Sequence, residues 1–419
     1  MSWLSTSLYN LLQVPAGLAL LPLALINPRR RAQAPARLGL KLPRLAPGGL
    51  WIHALSLGEV ISARPLLEEL RRAWPDQRLW LSAATATGLA QAREEAAKGR
   101  VEAAFYAPWD LWPSVARYLD RLRPRGLIIV ETDVWPNLLA ACRRRSVPAA
   151  LVNFRISVAR DRSHRLCPWF FRETLGVFKA VALPTELDLE RWQRLGLDGL
   201  PAEVTGSLKY DQPLPEPVSP EEVGLAAGRP VVAAGSTHPG EEEPILKAFL
   251  EVRSRCPDLA LILAPRDPGR GEEVAGLVRA GGFGLARLSK GEKLTGDRSV
   301  LLVDLLGRLA SLYSLSLAAF VGGSLVPKGG HNVLEPAALG VPVLFGSHMD
   351  NFHAEADRLR EAGAGLLVSG QEDLARTWSR LLDDPRAARE MGRRGKEVFL
   401  SHRGAAGRVV ALVAGAFGW

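Results

Sequence analysis

The chain has 419 residues, with 53 lysines and arginines against 44 acidic residues, 47% apolar residues and three cysteines. That length exceeds one ordinary core and fits two domains of roughly 150–200 residues each, and the balance of 23% charged to 47% apolar residues excludes a disordered chain. The net charge of +9 is unevenly spread: residues 1–210 carry 29 basic and 18 acidic side chains, residues 211–419 carry 24 and 26, so the first half is suited to an anionic partner such as anionic lipid, nucleic acid or a phosphorylated substrate.

From Ser2 to Pro28 there is no charged residue, and Arg29, Arg30 and Arg31 follow at once. A stretch of this length could span a bilayer. The charges come after the apolar run rather than before it, which is unlike a secretory signal and puts the rest of the chain in the cytoplasm by the positive-inside rule. Pro15, Gly17 and Pro22 interrupt a straight spanning helix, so an interfacial anchor and burial in the folded core stand as competing readings. Residues 1–31 are therefore expected to be a membrane anchor.

Short apolar runs then alternate with helical patterns. Leu50–Leu55 reads as a strand, followed by a helix from near Glu59 to Ala73; Leu79–Ala84 is the next strand, and a helix follows it to Gly99. Gly126–Glu131 and Pro148–Asn153 continue the series. Asp211–Pro220 holds four prolines and reads as a linker. The pattern restarts with Pro230–Ser236, Leu259–Pro265, Ser299–Asp304, Leu317–Gly323, Val341–Gly346 and Ala364–Ser369. Strands alternating with helices predict parallel sheets, hence an α/β chain of two Rossmann-like domains (32–210 and 221–402) facing a cleft, with 403–419 crossing back onto the first.

Ligands of such sheets bind beyond the carboxyl ends of strands, which selects four loops. Ser56-Leu57-Gly58-Glu59 offers a carboxylate that reads equally well as a general base and as a helix-N-terminal acid favoured by the macrodipole. Glu131 and Asp133 end an apolar strand beside Trp135, and capping does not account for two acids there. Gly235–Glu243 places Ser236 and Thr237 where backbone N–H groups and hydroxyls could cradle a phosphate, with three glutamates that satisfy the following helix dipole. Gly322–Gly346 is the most specific: paired glycines, then His331 and Asn332 capping a helix from near Val333, with Glu335 in its first turn, placed to bind a ribose diol. There is no GxxxxGK[ST] and no GxGxxG after a first strand, which argues against a P-loop NTPase and a nicotinamide dehydrogenase. Cys142, Cys167 and Cys256 form no CxxC pair, the histidines form no HExxH, and no metal site is expected.

At these residues the sequence resembles the 3-deoxy-D-manno-octulosonic acid (Kdo) transferases. WIHALSLGE, ETDVWPNLL, NFRIS, GSLKYD, GSTHPGEE, PRDPGR, GGSLVPKGGHNVLEP and GSHMDNF occur in the family's order over nearly the whole chain. The resemblance implies a GT-B fold, CMP-Kdo as donor substrate with no cofactor, a lipid A precursor as acceptor at the inner membrane, and inversion at the anomeric centre. Glu59 would be the general base, with Glu131 holding the acceptor or orienting that base. Ser56, Gly58, Asn153, Arg155 and Ser157 would line the acceptor side. Lys209, Ser236, Thr237, Arg266, Gly323, His331, Asn332 and Glu335 would face the donor. Asp267, Arg308, Pro184 and Ser347 depart from the family's usual residues. A UDP-dependent epimerase of the same fold and a non-catalytic membrane or nucleic-acid binder are the alternatives; the second lacks the interleaved basic and aromatic residues of a nucleic-acid module.

Overall fold

A computed structural model describes residues 9–11, 13, 28–131, 134–156, 168–197 and 199–419. The expected anchor, residues 1–31, lies mostly outside the described residues, as do Thr132, Asp133 and Ser157. Among the described residues no helix is long and apolar enough to cross a membrane.

The chain divides into two compact units, Met1–Gln212 with Arg403–Trp419, and Pro213–His402. The first is built on a seven-stranded, all-parallel sheet: β1 (Leu50–Ala54), β2 (Leu79–Ala83), β3 (Ala103–Tyr106), β4 (Gly126–Val130), β5 (Ala149–Val152), β6 (Ala180–Leu183) and β7 (Ala202–Val204). Its order is β3-β2-β1-β4-β5-β6-β7, so the sheet grows first one way from β1 and then the other, with the reversal between β1 and β4. Both faces are covered. Leu50, Ile52 and Ala54 of β1 pack under helices Arg64–Ala73 and Ala405–Phe417, while Trp51 joins Trp80, Tyr118 and Leu139 on the opposite face. A strand buried on both sides has no polar face to show, which is why β1, β2 and β4 read as unbroken apolar runs.

The single helix expected from Glu59 to Ala73 is two. Ser56 caps helix Leu57–Ser62, which ends at Ala63, and a second helix, Arg64–Ala73, begins with Pro65 in its first turn. Proline suits that first turn, where its missing N–H costs nothing. The C-terminal helix is held by Asp211, whose two carboxylate oxygens accept the N–H groups of Gly404 and Ala406 at 2.6 Å each, and by Arg408, which donates to the Thr205 carbonyl at 2.8 Å. Asp211 thus acts as an anion at a helix N-terminus.

The second unit repeats the plan with β8 (Val231–Thr237), β9 (Ala260–Pro265), β10 (Gly284–Arg287), β11 (Arg298–Leu302), β12 (Ala318–Val321), β13 (Val343–Phe345) and β14 (Gly365–Leu367), ordered β10-β11-β9-β8-β12-β13-β14 and all parallel. Its reversal lies between β8 and β12. Four strands, β3, β6, β7 and β10, were not expected from the sequence; each is only three or four residues long, and β3, β7 and β10 are edge strands.

Candidate active site

In the first unit the loops leaving β1, β4 and β5 emerge side by side, because these strands are neighbours and parallel. At the end of β1 the Ser56 Oγ accepts the Glu59 N–H at 3.4 Å and the Glu59 carboxylate reaches back to the Leu55 N–H at 2.5 Å. This is close to a capping box, with the reciprocal bond made one residue earlier than usual. It fixes the side chain of Glu59, 93% buried, at the mouth of the sheet. Gly58 faces open space: a Cβ there would meet only Ser56 Oγ, at 3.9 Å, so packing does not require the glycine.

Glu131 and Asn153, at the ends of β4 and β5, both adopt left-handed backbone, with φ of +66° and +55°. Such conformations cost non-glycine residues and persist where surroundings impose them, often at functional sites. Asn153 is fully buried. Its amide donates to Glu131 Oε1 at 3.3 Å and to Ser62 Oγ at 3.5 Å, and its carbonyl accepts the Leu208 N–H at 3.2 Å. One side chain therefore ties together the ends of β4 and β5, helix Leu57–Ser62 and the segment after β7. Arg155 donates to Ser207 Oγ at 3.3 Å, and the same hydroxyl accepts the Lys209 N–H at 3.4 Å. Lys209, which the resemblance assigned to the donor, thus belongs to the first unit and neighbours Arg155.

Two further polar clusters of this unit escaped the sequence. His53 on β1 is buried with Nδ1 2.9 Å from Ser82 Oγ, which also accepts the Trp51 indole N–H at 2.7 Å. Burial, and then the charge of Arg37, push its pKa down to about 4. Asp110 accepts the N–H groups of Asn137 (3.0 Å) and Leu138 (2.9 Å), capping helix Pro136–Arg144 from another loop. Burial pushes its carboxyl up to about 7. Asn137 in turn exchanges two amide hydrogen bonds with Asn10, at 2.9 and 2.8 Å, so the described part of the N-terminal segment is docked on the helix that follows the Glu131 loop.

In the second unit the loops after β8, β9 and β12 converge in the same way. Ser236 has φ +56°, and Thr237, fully buried, donates to Glu242 Oε1 at 3.0 Å. Two of the three glutamates expected only to serve the helix dipole shape the site instead. Glu241 is wholly buried and accepts four backbone N–H groups, from His238 (2.9 Å), Gly323 (2.7 Å), Ser324 (3.1 Å) and Leu325 (3.0 Å). It clamps the loop after β12 onto the loop after β8. Glu242 pairs with Arg270 at 2.7 Å.

His331 does not cap the following helix. Its Nε2 lies 2.8 Å from Nε2 of His238, a residue the sequence reading did not single out. Burial, then the nearby Arg266 charge, pushes His331 down to about 4; His238 is lowered too, first by burial. Gly323 has φ +69°, and a Cβ on it would meet His331 at 3.0 Å and His238 at 3.4 Å, so this glycine makes room for the imidazole pair. Val333, not Asn332, is the N-cap residue, and Asn332 braces the turn before the helix: its carbonyl accepts the Leu334 N–H and its amide donates to Glu335, both at 3.1 Å. That helix, Leu334–Ala338, has only five residues, so its dipole is a small contributor. Burial raises the Glu335 carboxyl, against the opposing effects of Asn332 and Arg266. Arg266 and Lys328 are exposed. A surface hollow of this unit near Arg229, Arg253 and Lys293 lies at the amino ends of the strands, away from all of these groups.

Sheets of this plan bind ligands at the strand-order reversal, beyond the carboxyl ends, and Glu59, Glu131 and Asn153 in the first unit and Ser236, Glu241 and the His238–His331 pair in the second lie there. Residues 28–212 match the family model described as 3-Deoxy-D-manno-octulosonic-acid transferase (kdotransferase). The chain is 33% identical to the 3-deoxy-D-manno-octulosonic acid transferase of Haemophilus influenzae, with 88% of this chain and 87% of that protein covered, and 35% identical to that of Bordetella pertussis, with 90% of each covered. Among solved structures, a glycosyltransferase from Rickettsia africae superposes with a TM-score of 0.59 over 89% of this chain and 99% of that one, at 10% identity, a likeness of fold alone. The chain belongs to the 3-deoxy-D-manno-octulosonic acid transferase family and is a glycosyltransferase of the α/β GT-B class, with two Rossmann-like parallel-sheet domains.

Proposed function

We propose that the protein transfers Kdo, with inversion, from CMP-Kdo to a lipid A precursor at the cytoplasmic face of the inner membrane, with Glu59 as general base. The observation that carries this reading is the fixed carboxylate of Glu59 at the carboxyl end of β1, beside the strand-order reversal and supported by a reciprocal cap rather than left to swing. Glu59 takes the proton of an acceptor hydroxyl while that oxygen attacks the anomeric carbon of the sugar and the bond to the CMP phosphate breaks with its electron pair. A base and a leaving group on opposite faces of the reacting carbon give inversion.

Glu131, held by Asn153, orients the acceptor or the base. Ser56, Gly58, Asn153, Arg155 and Ser157 serve the acceptor. Lys209, Ser236, Thr237, Arg266, Gly323, His331, Asn332 and Glu335 serve the donor. The excess of basic side chains in residues 1–210 and the apolar run before Arg29 suit an anionic lipid surface.

The test is transfer from CMP-Kdo to a panel of lipid acceptors, read by mass spectrometry, together with calorimetry for CMP. Glu59→Gln should abolish transfer and leave CMP affinity near that of the unmodified protein. Retained transfer in this variant removes Glu59 from the chemistry, and binding of UDP in preference to CMP removes the assigned donor.

A further inference from the structure

The His238–His331 contact is an in-plane one. The Nε2 atoms are 2.8 Å apart, the ring centroids 5.1 Å apart and the planes within 7° of parallel. Adding about 1.2 Å from nitrogen to ring centre at each end of the N–N contact gives roughly the observed centroid separation, so the rings meet head-on instead of lying face to face. A head-on contact of this length needs one proton between the two nitrogens. The accepting ring must then carry its other proton on Nδ1, whereas the donating ring has a bare Nδ1. The pair can therefore gain one proton, on that bare nitrogen, and keep its hydrogen bond; a second would set two N–H groups against each other.

The charges around the pair decide when that proton arrives. Arg266 from the end of β9 and Lys328 from the loop after β12 oppose it. Glu241 favours it but is already committed to four backbone N–H groups, and Glu242, which also favours it, is paired with Arg270. Glu335 lies on the helix that follows His331, with its carboxyl raised by burial. Among the described residues, neither the Arg266 nor the Lys328 side chain has an ion-pair or hydrogen-bond partner. Two exposed, unpaired cations beside a neutral imidazole pair make a site that an anion would both neutralise and protonate.

We propose that the His238–His331 pair is a proton-linked anion clamp, taking up one proton from solvent when the phosphate end of the nucleotide binds beside Arg266 and Lys328. This rests on the CMP-dependent transferase reading. During transfer the bond between sugar carbon and phosphate oxygen breaks, its electron pair stays on the phosphate, and the added charge is met by the singly protonated pair. The pair returns its proton to solvent when CMP leaves. His238 joins the donor side in this account, and Gly323 is the residue that lets the two rings meet.

The test is calorimetric titration of the full-length protein with CMP at pH 7.5, where the phosphate is almost fully dianionic, in buffers of low and high ionisation enthalpy. Roughly half to one proton should be taken up per CMP bound, and affinity should weaken as pH rises from 7 to 8.5. His238→Gln and His331→Gln should bind CMP more weakly, with no uptake and no such pH dependence. The unmodified protein decides the matter even if a variant fails to fold. Tight CMP binding with no buffer dependence overturns the clamp and leaves the transferase reading standing. No CMP binding in any buffer overturns the nucleotide assignment, and the clamp falls with it.

Discussion

Asn153 donates its side-chain amide to the carboxylate of Glu131 across 3.3 Å, and both residues sit in left-handed backbone at the ends of neighbouring strands. The bond joins two strained positions into one support for the acidic loop. Asn153→Ala loses three hydrogen-bond partners inside a buried site and keeps the unfavourable φ, whereas Asn153→Gly loses the same bonds without backbone strain. We expect Asn153→Ala to destabilise the protein by about 3 kcal/mol in urea unfolding, and Asn153→Gly by about 1 kcal/mol less. Equal costs would show that the backbone there is unstrained.

Glu59 has a structural task and a chemical one, and two substitutions separate them. Glutamine keeps an oxygen for the Leu55 N–H, so Glu59→Gln should change stability by less than about 0.5 kcal/mol while lowering transfer at least about 100-fold. Glu59→Ala loses the cap as well and should cost about 1 kcal/mol of stability. Thermal unfolding and turnover measured on the same preparations check both. Equal loss of stability in the two variants would mean that Gln does not preserve the cap.

Glu241 accepts four N–H groups with two oxygens in a fully buried position. Glutamine would turn an NH2 group toward donors, leaving buried N–H groups facing N–H groups. Glu241→Gln should cost about 3 kcal/mol and weaken CMP binding at least about tenfold, because the loop bearing Gly323 and leading to His331 loses its clamp. Unfolding and calorimetry on the isolated variant report the two effects.

His53 and Asp110 should give opposite pH dependences of stability. His53 binds a proton less tightly folded (about 4) than unfolded (6.5), so it withdraws up to about 3 kcal/mol as pH falls through that window. Asp110 binds its proton more tightly folded (about 7) than unfolded (3.8), so it withdraws up to about 4 kcal/mol as pH rises from 4 to 7. The two slopes partly cancel between pH 4 and 6.5. Urea midpoints measured across pH 4–8 should rise with pH between 4 and 6.5 in Asp110→Asn, where of the two only His53 titrates, and fall with pH between 4 and 7 in His53→Gln, where only Asp110 does.

The apolar runs at Leu50–Ala54, Gly126–Val130 and Ala260–Pro265 announce their strands because both faces of a parallel sheet are buried and the sequence has no polar face to interpose. The same logic made the ligand-bearing loops visible, since glycine and polar residues must gather where strands end and backbone is left to bind. That Asn332 would bond the start of the next helix was legible from its type and spacing, although Val333 holds the cap position itself. The short strands β3, β7 and β10 were not, being edge segments with weak burial patterns, and the break at Ala63 was overridden in the reading by a continuous helical periodicity.

By itself, the sequence determined the two-unit α/β plan, the family and the loops that carry the site, because these depend on composition and order along one strand or loop. Only the tertiary structure decided which residues meet. Asn153 finds Glu131 because β5 lies next to β4; Glu241 reaches Gly323 across 82 positions of sequence because β8 lies next to β12. His238 and His331 form one titrating unit for the same reason, 93 positions apart. Strand adjacency is set by long-range packing, which no local pattern encodes, and it converts scattered polar residues into a site.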